Sequence, residues 1–324
     1  MKLPRRRFLY LAAGAAALPA VSRVARAQTY PTRPVRLILG YAPGNAPDIV
    51  ARLMGQWLSQ RLGQPFVIEN RPGAGSNIGA EAVVRAPADG YTLLYATTAN
   101  AINATLYDKL NFNFIRDIAP VAGSIRLPNL VSVNLSLPIK TIAQLVAYAK
   151  VNPGRLNFGA PNGGTVLLTG VLFNMMSGAN IVHVPYSNQM QAVTDLLADQ
   201  VQVSFDAMPT TIEFARTGKL RALAVTTAMC SPALPDIPTV GDSVPGYEAS
   251  SWHGVGAPRN TSAEIIDKLN KEINAGLADP KMKARIADLG GVPMPMPPAE
   301  FGKFIAEETE KWGKVVKVSG AKAD

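Results

Sequence analysis

The sequence predicts a hinged α/β protein of two lobes, each a mixed sheet flanked by helices and joined to the other by two crossing segments. Three observations predict it. Short apolar runs alternate with stretches of helical periodicity along most of the 324 residues, the pattern of sheets covered by helices. This series of strand–helix units breaks off near residue 125 and resumes as a second series, which fills a different sheet. An apolar strand over 252–257 then returns the chain to the first sheet, so the lobes share two crossings. The expected division is residues 28–125 with 251–324 in lobe one and 126–250 in lobe two. The length suffices for two ordinary domains with a sizeable core.

Lobe one opens with an apolar run, Leu37 to Leu39 between Val35 and Tyr41, as expected of a strand buried on both faces. The turn Ala42-Pro43-Gly44-Asn45-Ala46 follows. Val50, Leu53, Met54, Trp57, Leu58 and Leu62 then recur at spacings of three and four, which draws one helix face. Pro47 suits the first helical position, Asp48 the positive end of the dipole, and Gly63 the C-terminal stop. A strand over 67–69 leads to the glycine cluster Asn70-Arg71-Pro72-Gly73-Ala74-Gly75-Ser76, whose glycine spacing departs from the dinucleotide fingerprint. A helix over 78–84, a strand over 92–96 and a polar turn over 97–103 come next. Strands over 119–124 and 129–133, separated by Arg126-Leu127-Pro128, carry the chain toward the second lobe. Turns at the carboxyl ends of such strands free backbone N–H groups where anions tend to sit, although many strand–turn–helix units only connect.

Lobe two repeats the pattern. Thr141 starts a helix that Asn152-Pro153-Gly154 ends. A strand over 156–158 leads through Ala160-Pro161-Asn162-Gly163-Gly164-Thr165 into a helix reaching about residue 176. A strand over 181–184, the turn Pro185-Tyr186-Ser187-Asn188, a helix over 189–198, a strand over 201–205 closed by Asp206 and a strand over 221–226 complete it. After the return strand, Thr261-Ser262-Ala263-Glu264 reads as a capping box with Thr261 as the cap. Asp279-Pro280 starts another helix, stopped by Gly290-Gly291. Pro293, Pro295, Pro297 and Pro298 make a rigid linker to a last helix with Phe301, Ile305, Trp312 and Val316 inward.

The net charge of +9 does not signal nucleic acid. Residues 1–27 hold Lys2, Arg5, Arg6, Arg7, Arg23 and Arg26 and no acids, so without them +3 remains, with no basic stripe among aromatics. Those residues read as a signal peptide: Arg5-Arg6-Arg7-Phe8-Leu9, an alanine-rich apolar stretch, and Ala25-Arg26-Ala27 for cleavage after Ala27. The arginine pair before Phe-Leu resembles a twin-arginine signal, with Pro4 and Tyr10 departing from its usual pattern. The mature chain is expected to be periplasmic, soluble and monomeric, since no later stretch approaches about twenty apolar residues.

Catalysis is not indicated. The two histidines, His183 and His253, read as satisfied structural side chains, and the single cysteine, Cys230, has no partner group for nucleophilic work. No spacing suits a metal, no cofactor motif is present, and neither a nucleophile elbow nor a phosphate loop occurs. What remains is a set of turns rich in Gly, Asn and Thr with no unpaired Lys or Arg inside them. Backbone amides and helix N-termini of that kind hold a small carboxylate without a full counter-charge.

The segments YPTRPVRLILGYAPGNAPDIVAR, ENRPGAGSNIG and ADGYTLL, followed by NPGRLNFGAP, HVPYSNQMQAVTDLLADQVQVSFD and PGYEASSWHGVGAP, resemble the Bug-type solute-binding proteins of tripartite tricarboxylate transporters. The resemblance covers nearly all of the mature chain in order. It implies a two-lobed periplasmic-binding-protein fold that closes on a small carboxylate, a di- or tricarboxylate or an aromatic acid, for membrane permease subunits. Carried over by position, it implies ligand contacts from Tyr41, Gly44, Asn45, Ala46, Asp48, Thr98, Ala101 and Asn103 in lobe one. Lobe two would add Asn162, Gly163, Gly164, Thr165, Tyr186 and Asp206. Two departures bear on ligand choice: Asn45 replaces a glycine usual in the first turn, and Leu167 replaces a histidine usual at the second-lobe junction, which suggests a less polar ligand. An exported enzyme acting on such an acid, or a sensor presenting it, is the alternative.

Overall fold

A computed structural model of the protein describes residues 30–324 apart from 45, 163, 322 and 324, so the expected export signal, Asn45 and Gly163 lie outside the described residues. The first sheet-forming series is β1 (Val35–Leu39), α1 (Ala46–Leu62), β2 (Phe66–Asn70), α2 (Asn77–Val84), β3 (Thr92–Thr97), α3 (Thr98–Leu106), α4 (Phe114–Asp117) and β4 (Ile118–Val133). The second is α5 (Ile142–Val151), β5 (Asn157–Ala160), α6 (Thr165–Ser177), β6 (Val182–Pro185), α7 (Gln189–Leu197), β7 (Val203–Ala207), α8 (Met208–Arg216) and β8 (Arg221–Val225). The chain closes with β9 (Ser250–Pro258), α9 (Ala263–Ala278), α10 (Pro280–Asp288), β10 (Val292–Pro293) and α11 (Pro298–Ser319).

Strand β1 lies between β2 and β3, parallel to both, and β9 joins β3 antiparallel, as expected when crossover helices separate parallel strands and a returning strand closes the edge. In the other lobe β5 lies parallel between β6 and β7, and β4 runs antiparallel to β7 and β8. Both lobes are therefore mixed sheets, and β4 belongs to each. It pairs β9 as far as Pro128 opposite Ser250, then pairs β7 from Asn129 opposite Ala207. The chain leaves the second sheet again at Ala249, whose N–H donates to Thr226 O at 3.0 Å.

Helices cover both faces. Met54 and Leu58 of α1 pack with Leu269 and Ile273 of α9 against one face of the first sheet, and Val83 of α2 with Phe301 and Ile305 of α11 against the other. In lobe two, Leu145 of α5 and Phe173 of α6 form the main core with Phe158 and Phe205. The last helix does not stay with one sheet. Its first half packs with lobe one, whereas Trp312, Val315 and Val316 join the lobe-two core. At the change-over, buried Glu308 accepts from Trp252 Nε1 at 3.1 Å and from Trp312 Nε1 at 2.9 Å.

Several expected boundaries differ. The break at Arg126-Leu127-Pro128 does not end a strand, because Pro128 sits where β4 changes partners and a missing N–H costs little; two register shifts absorb Pro120 and Gly123. The polar turn over 97–103 is the start of α3, opened by Asn100 Oδ1 accepting from Thr97 N at 2.9 Å and held by Ala101 and Ile102 in the two cores. Helix α8 follows the end of β7 at Ala207 without a gap, with Pro209 in its first turn. Ser262, not Thr261, caps α9, accepting from Ile265 N, while Thr261 Oγ1 turns back to Pro258 O. The proline linker is pinned to the sheet by β10 and by Met294 N donating to Ser124 O at 3.0 Å.

Candidate functional site

Two adjoining cavities open between the sheets where the carboxyl ends of the parallel strands meet. The outer one, about 590 Å³, is lined from lobe one by Gly40, Tyr41, the loop from Pro72 to Ser76, and Ile102, Asn103, Leu106 and Tyr107. Asn162, Gly164 and Thr165 line it from lobe two. The inner one, about 190 Å³, is walled by Tyr41, Ala46, Pro47, Thr97, Thr98, Leu127, Ser251 and His253, and across the cleft by Thr165, Ala207, Pro209 and Thr210. Tyr41, Ala99 and Thr165 border both, so the two form one cleft.

The local folding explains why these residues meet. Each parallel strand ends in a tight turn that starts a helix, so the starts of α1 at Ala46, α3 at Thr98, α6 at Thr165 and α8 at Met208 converge on the inner cavity. A helix start presents backbone N–H groups without intrahelical partners and the positive end of its dipole. For α6 and α8, the residues before the helix, Gly164 and Ala207, supply no side-chain cap. Among the described residues, neither lysine nor arginine lines either cavity. The cleft is thus electropositive through backbone dipoles, which suits a small anion.

Gly40 is required where the loop of residues 73–76 folds over the end of β1: a Cβ there would lie 1.9 Å from Ser76 Oγ. Asn103 Nδ2 holds that loop by donating to Gly75 O at 2.6 Å. Burial raises the Tyr41 phenol above its ordinary value, against a bond from Thr97 Oγ1 at 3.5 Å, so it stays neutral in the cleft. Burial pushes His253 down to about 3.

Of the residues singled out from the sequence, Tyr41, Ala46, Thr98, Asn103, Asn162, Gly164 and Thr165 line the cleft. Gly44 and Asp48 stand behind the wall. Asp48 Oδ2 accepts from Gly44 N and from Arg52 Nε, both at 2.9 Å, and Oδ1 accepts from Asn70 Nδ2 at 2.9 Å. Burial acts to raise this carboxyl, but those bonds outweigh it and hold it below the ordinary value. Asp48 therefore orients the first turn. Ala101 is buried in the lobe-one core, and Tyr186 donates to Asp195 Oδ2 at 2.7 Å, outside both cavities. Asp206 lies one residue behind the wall at Ala207, with Gln189 donating to its Oδ1; burial lifts it to about 7. Leu167 points into the lobe-two core and borders neither cavity, so it does not bear on ligand polarity as a wall residue.

Sequence reasoning passes over Ile102, Leu106 and Tyr107 because the polar start of α3 reads as a turn; the helical spacing of Ile102 and Leu106 is the available signal. It passes over Ala207, Pro209 and Thr210 with α8, which Pro209 in the first turn announces. His253 was expected to be satisfied, yet its Nδ1 is buried without a hydrogen-bond partner.

Residues 50–321 match the model of the TctC family, described as tripartite tricarboxylate transporter family receptor. The chain belongs to this family. Protein BugT of Bordetella pertussis is 35% identical over 300 residues, covering 91% of this chain and 92% of BugT. The solved structure of Rpa4515 from R. palustris with adipate superposes with a TM-score of 0.77 at 36% identity, covering 90% of this chain and 99% of that one. MatC (Rpa3494) from Rhodopseudomonas palustris with bound malate gives a TM-score of 0.72 at 29% identity, covering 89% and 100%. This TctC-family chain is thus a solute-binding protein of the Bug type with a two-lobed α/β fold, and periplasmic localisation is consistent with that family.

Proposed function

We propose that the protein captures a small carboxylate, a di- or tricarboxylate or an aromatic acid, in the cleft and delivers it to the membrane permease subunits of a tripartite tricarboxylate-type transporter. The observation that carries this reading is the convergence of four helix starts, two from each lobe, on a cavity that has no cationic side chain among the described residues. A carboxylate there meets N–H donors from both sides and so favours the closed arrangement. Asn45, Gly163 and the cavity-lining residues named above form the proposed contact set, with Gly44, Asp48 and Asp206 supporting the walls and Ala101 and Tyr186 outside it. The outer cavity leaves room for the body of the acid against Ile102 and Leu106.

The same reading assigns export to residues 1–27, with cleavage after Ala27, and a lobe boundary at residues 128–129 and 249–250, where the strand pairing changes sheets. Because the relatives described above hold adipate and malate, linear dicarboxylates are the first acids to test, followed by benzoate. Native mass spectrometry of protein purified from the periplasm, followed by calorimetric titration with those acids, is the experiment. A co-purified acid, or saturable one-to-one binding of at least one panel member, is expected. Protein that carries no acid and takes up none of them contradicts the proposal.

A further inference from the structure

His253 stands in the wall of the inner cavity with 3% of its surface exposed. It lies on β9 between Thr97 of β3 and Ile125 of β4, and edge-on to Tyr95 with ring centroids 5.6 Å apart. Its Nδ1 is buried without a hydrogen-bond partner, and no described residue bonds the rest of the ring. Buried polar groups are rarely left in that state, because the lost hydration is not replaced. The small exposed part of this residue borders the cavity. Thr165, Thr210 and Ser251, each with a hydroxyl group, line the same cavity. Burial keeps the imidazole neutral at ordinary pH, so it carries one N–H. A proton on Nδ1 would be a donor with nothing to donate to. A proton on Nε2 leaves only an unfilled lone pair inside, the cheaper vacancy, and turns the N–H toward the cavity.

We propose that His253 is a specificity-determining residue: its neutral ring donates a hydrogen bond to the innermost oxygen of the bound acid. The proposal rests on the cleft being a carboxylate site. It adds that the inner end of the ligand must carry an oxygen function. A dicarboxylate, a hydroxy acid or a carboxylate entering head-first fills that requirement, whereas an acid entering by a hydrocarbon tail leaves the ring and the hydroxyl groups without partners. Because the ring is neutral, it selects by position and not by charge.

The sequence contains two histidines, so protein labelled with ¹⁵N-histidine gives two imidazole patterns, and His183→Gln assigns them. Malate, adipate and benzoate are each titrated into the labelled wild type, with calorimetry in parallel. At saturation by an acid that binds, the protonated Nε2 signal of His253 is expected to move while Nδ1 stays unprotonated. His253→Leu is expected to lose about tenfold or more in affinity for that acid, and His253→Gln, which keeps an N–H, to lose less. An unmoved His253 pattern at saturation overturns the role without relying on any variant, as does His253→Leu binding like the wild type. If none of the three acids binds the wild type, the carboxylate reading falls first, and the role of His253 falls with it.

Discussion

At the scale of the residue, buried titratable groups behind the cleft govern the response to pH. Asp206 has one oxygen, Oδ2, with no partner, and burial lifts its carboxyl to about 7. The folded protein therefore keeps a proton that the unfolded chain releases near the ordinary value of about 4. The stability this contributes is full below about pH 4 and is lost as pH rises through about 7. Asp206→Asn keeps the shape and cannot ionise. It should raise unfolding stability at pH 8 by about 1–4 kcal/mol and change it little at pH 4, as measured by denaturant titration at both values; an equal effect at the two would remove the buried-acid account. His253 acts in the opposite sense, its contribution to stability being lost as pH falls from about 6.5 toward 3 while the unfolded chain takes up the proton, but it is common to both proteins and cancels in the difference. The turns were legible at this scale from their Gly, Pro and Asn residues, and the family resemblance singled out Tyr41, Asn162 and Thr165 in or beside them. His253 was not, because alternation along β9 gives the face of a side chain and not that this face ends at a cavity.

At the scale of the element, α11 links lobe-one packing to the lobe-two core, and Glu308 joins it to β9 through the indole N–H of Trp252 while also accepting from that of Trp312 on α11 itself. Removing the carboxylate leaves both donors buried without an acceptor, at about 1–3 kcal/mol each. Glu308→Ala should therefore destabilise by about 2–5 kcal/mol in denaturant unfolding at pH 7, while Glu308→Gln, which keeps one acceptor oxygen, should lose clearly less. Matching curves for Glu308→Ala and the wild type would contradict this account. The inward positions of α11, Phe301, Ile305, Trp312 and Val316, were legible from their spacing. That they enter two different cores was not, since periodicity gives a helix its buried stripe without naming what the stripe touches. The same limit hid α3, whose polar start at Thr97 to Asn100 reads as a turn until Ile102 and Leu106 are counted with it. Helix α8 was missed for another reason: it follows β7 with no intervening loop, so the strand and its helix share one uninterrupted run.

At the scale of the whole molecule, two lobes, mixed sheets and the returning strand were legible because apolar runs and helical stripes alternate so regularly. The single strand β4 through both sheets was not, because Pro128 reads as a strand terminus and acts here as the place where partners change. Two crossings side by side make a hinge the natural motion, and a ligand held by helix starts from both lobes makes closure its consequence. Small-angle X-ray scattering, with and without a saturating concentration of an acid that binds in calorimetry, tests this most directly. The radius of gyration should fall on binding as the helix starts of the two lobes draw together on the carboxylate. Superimposable curves at saturation would contradict capture of the acid by closure of the two lobes.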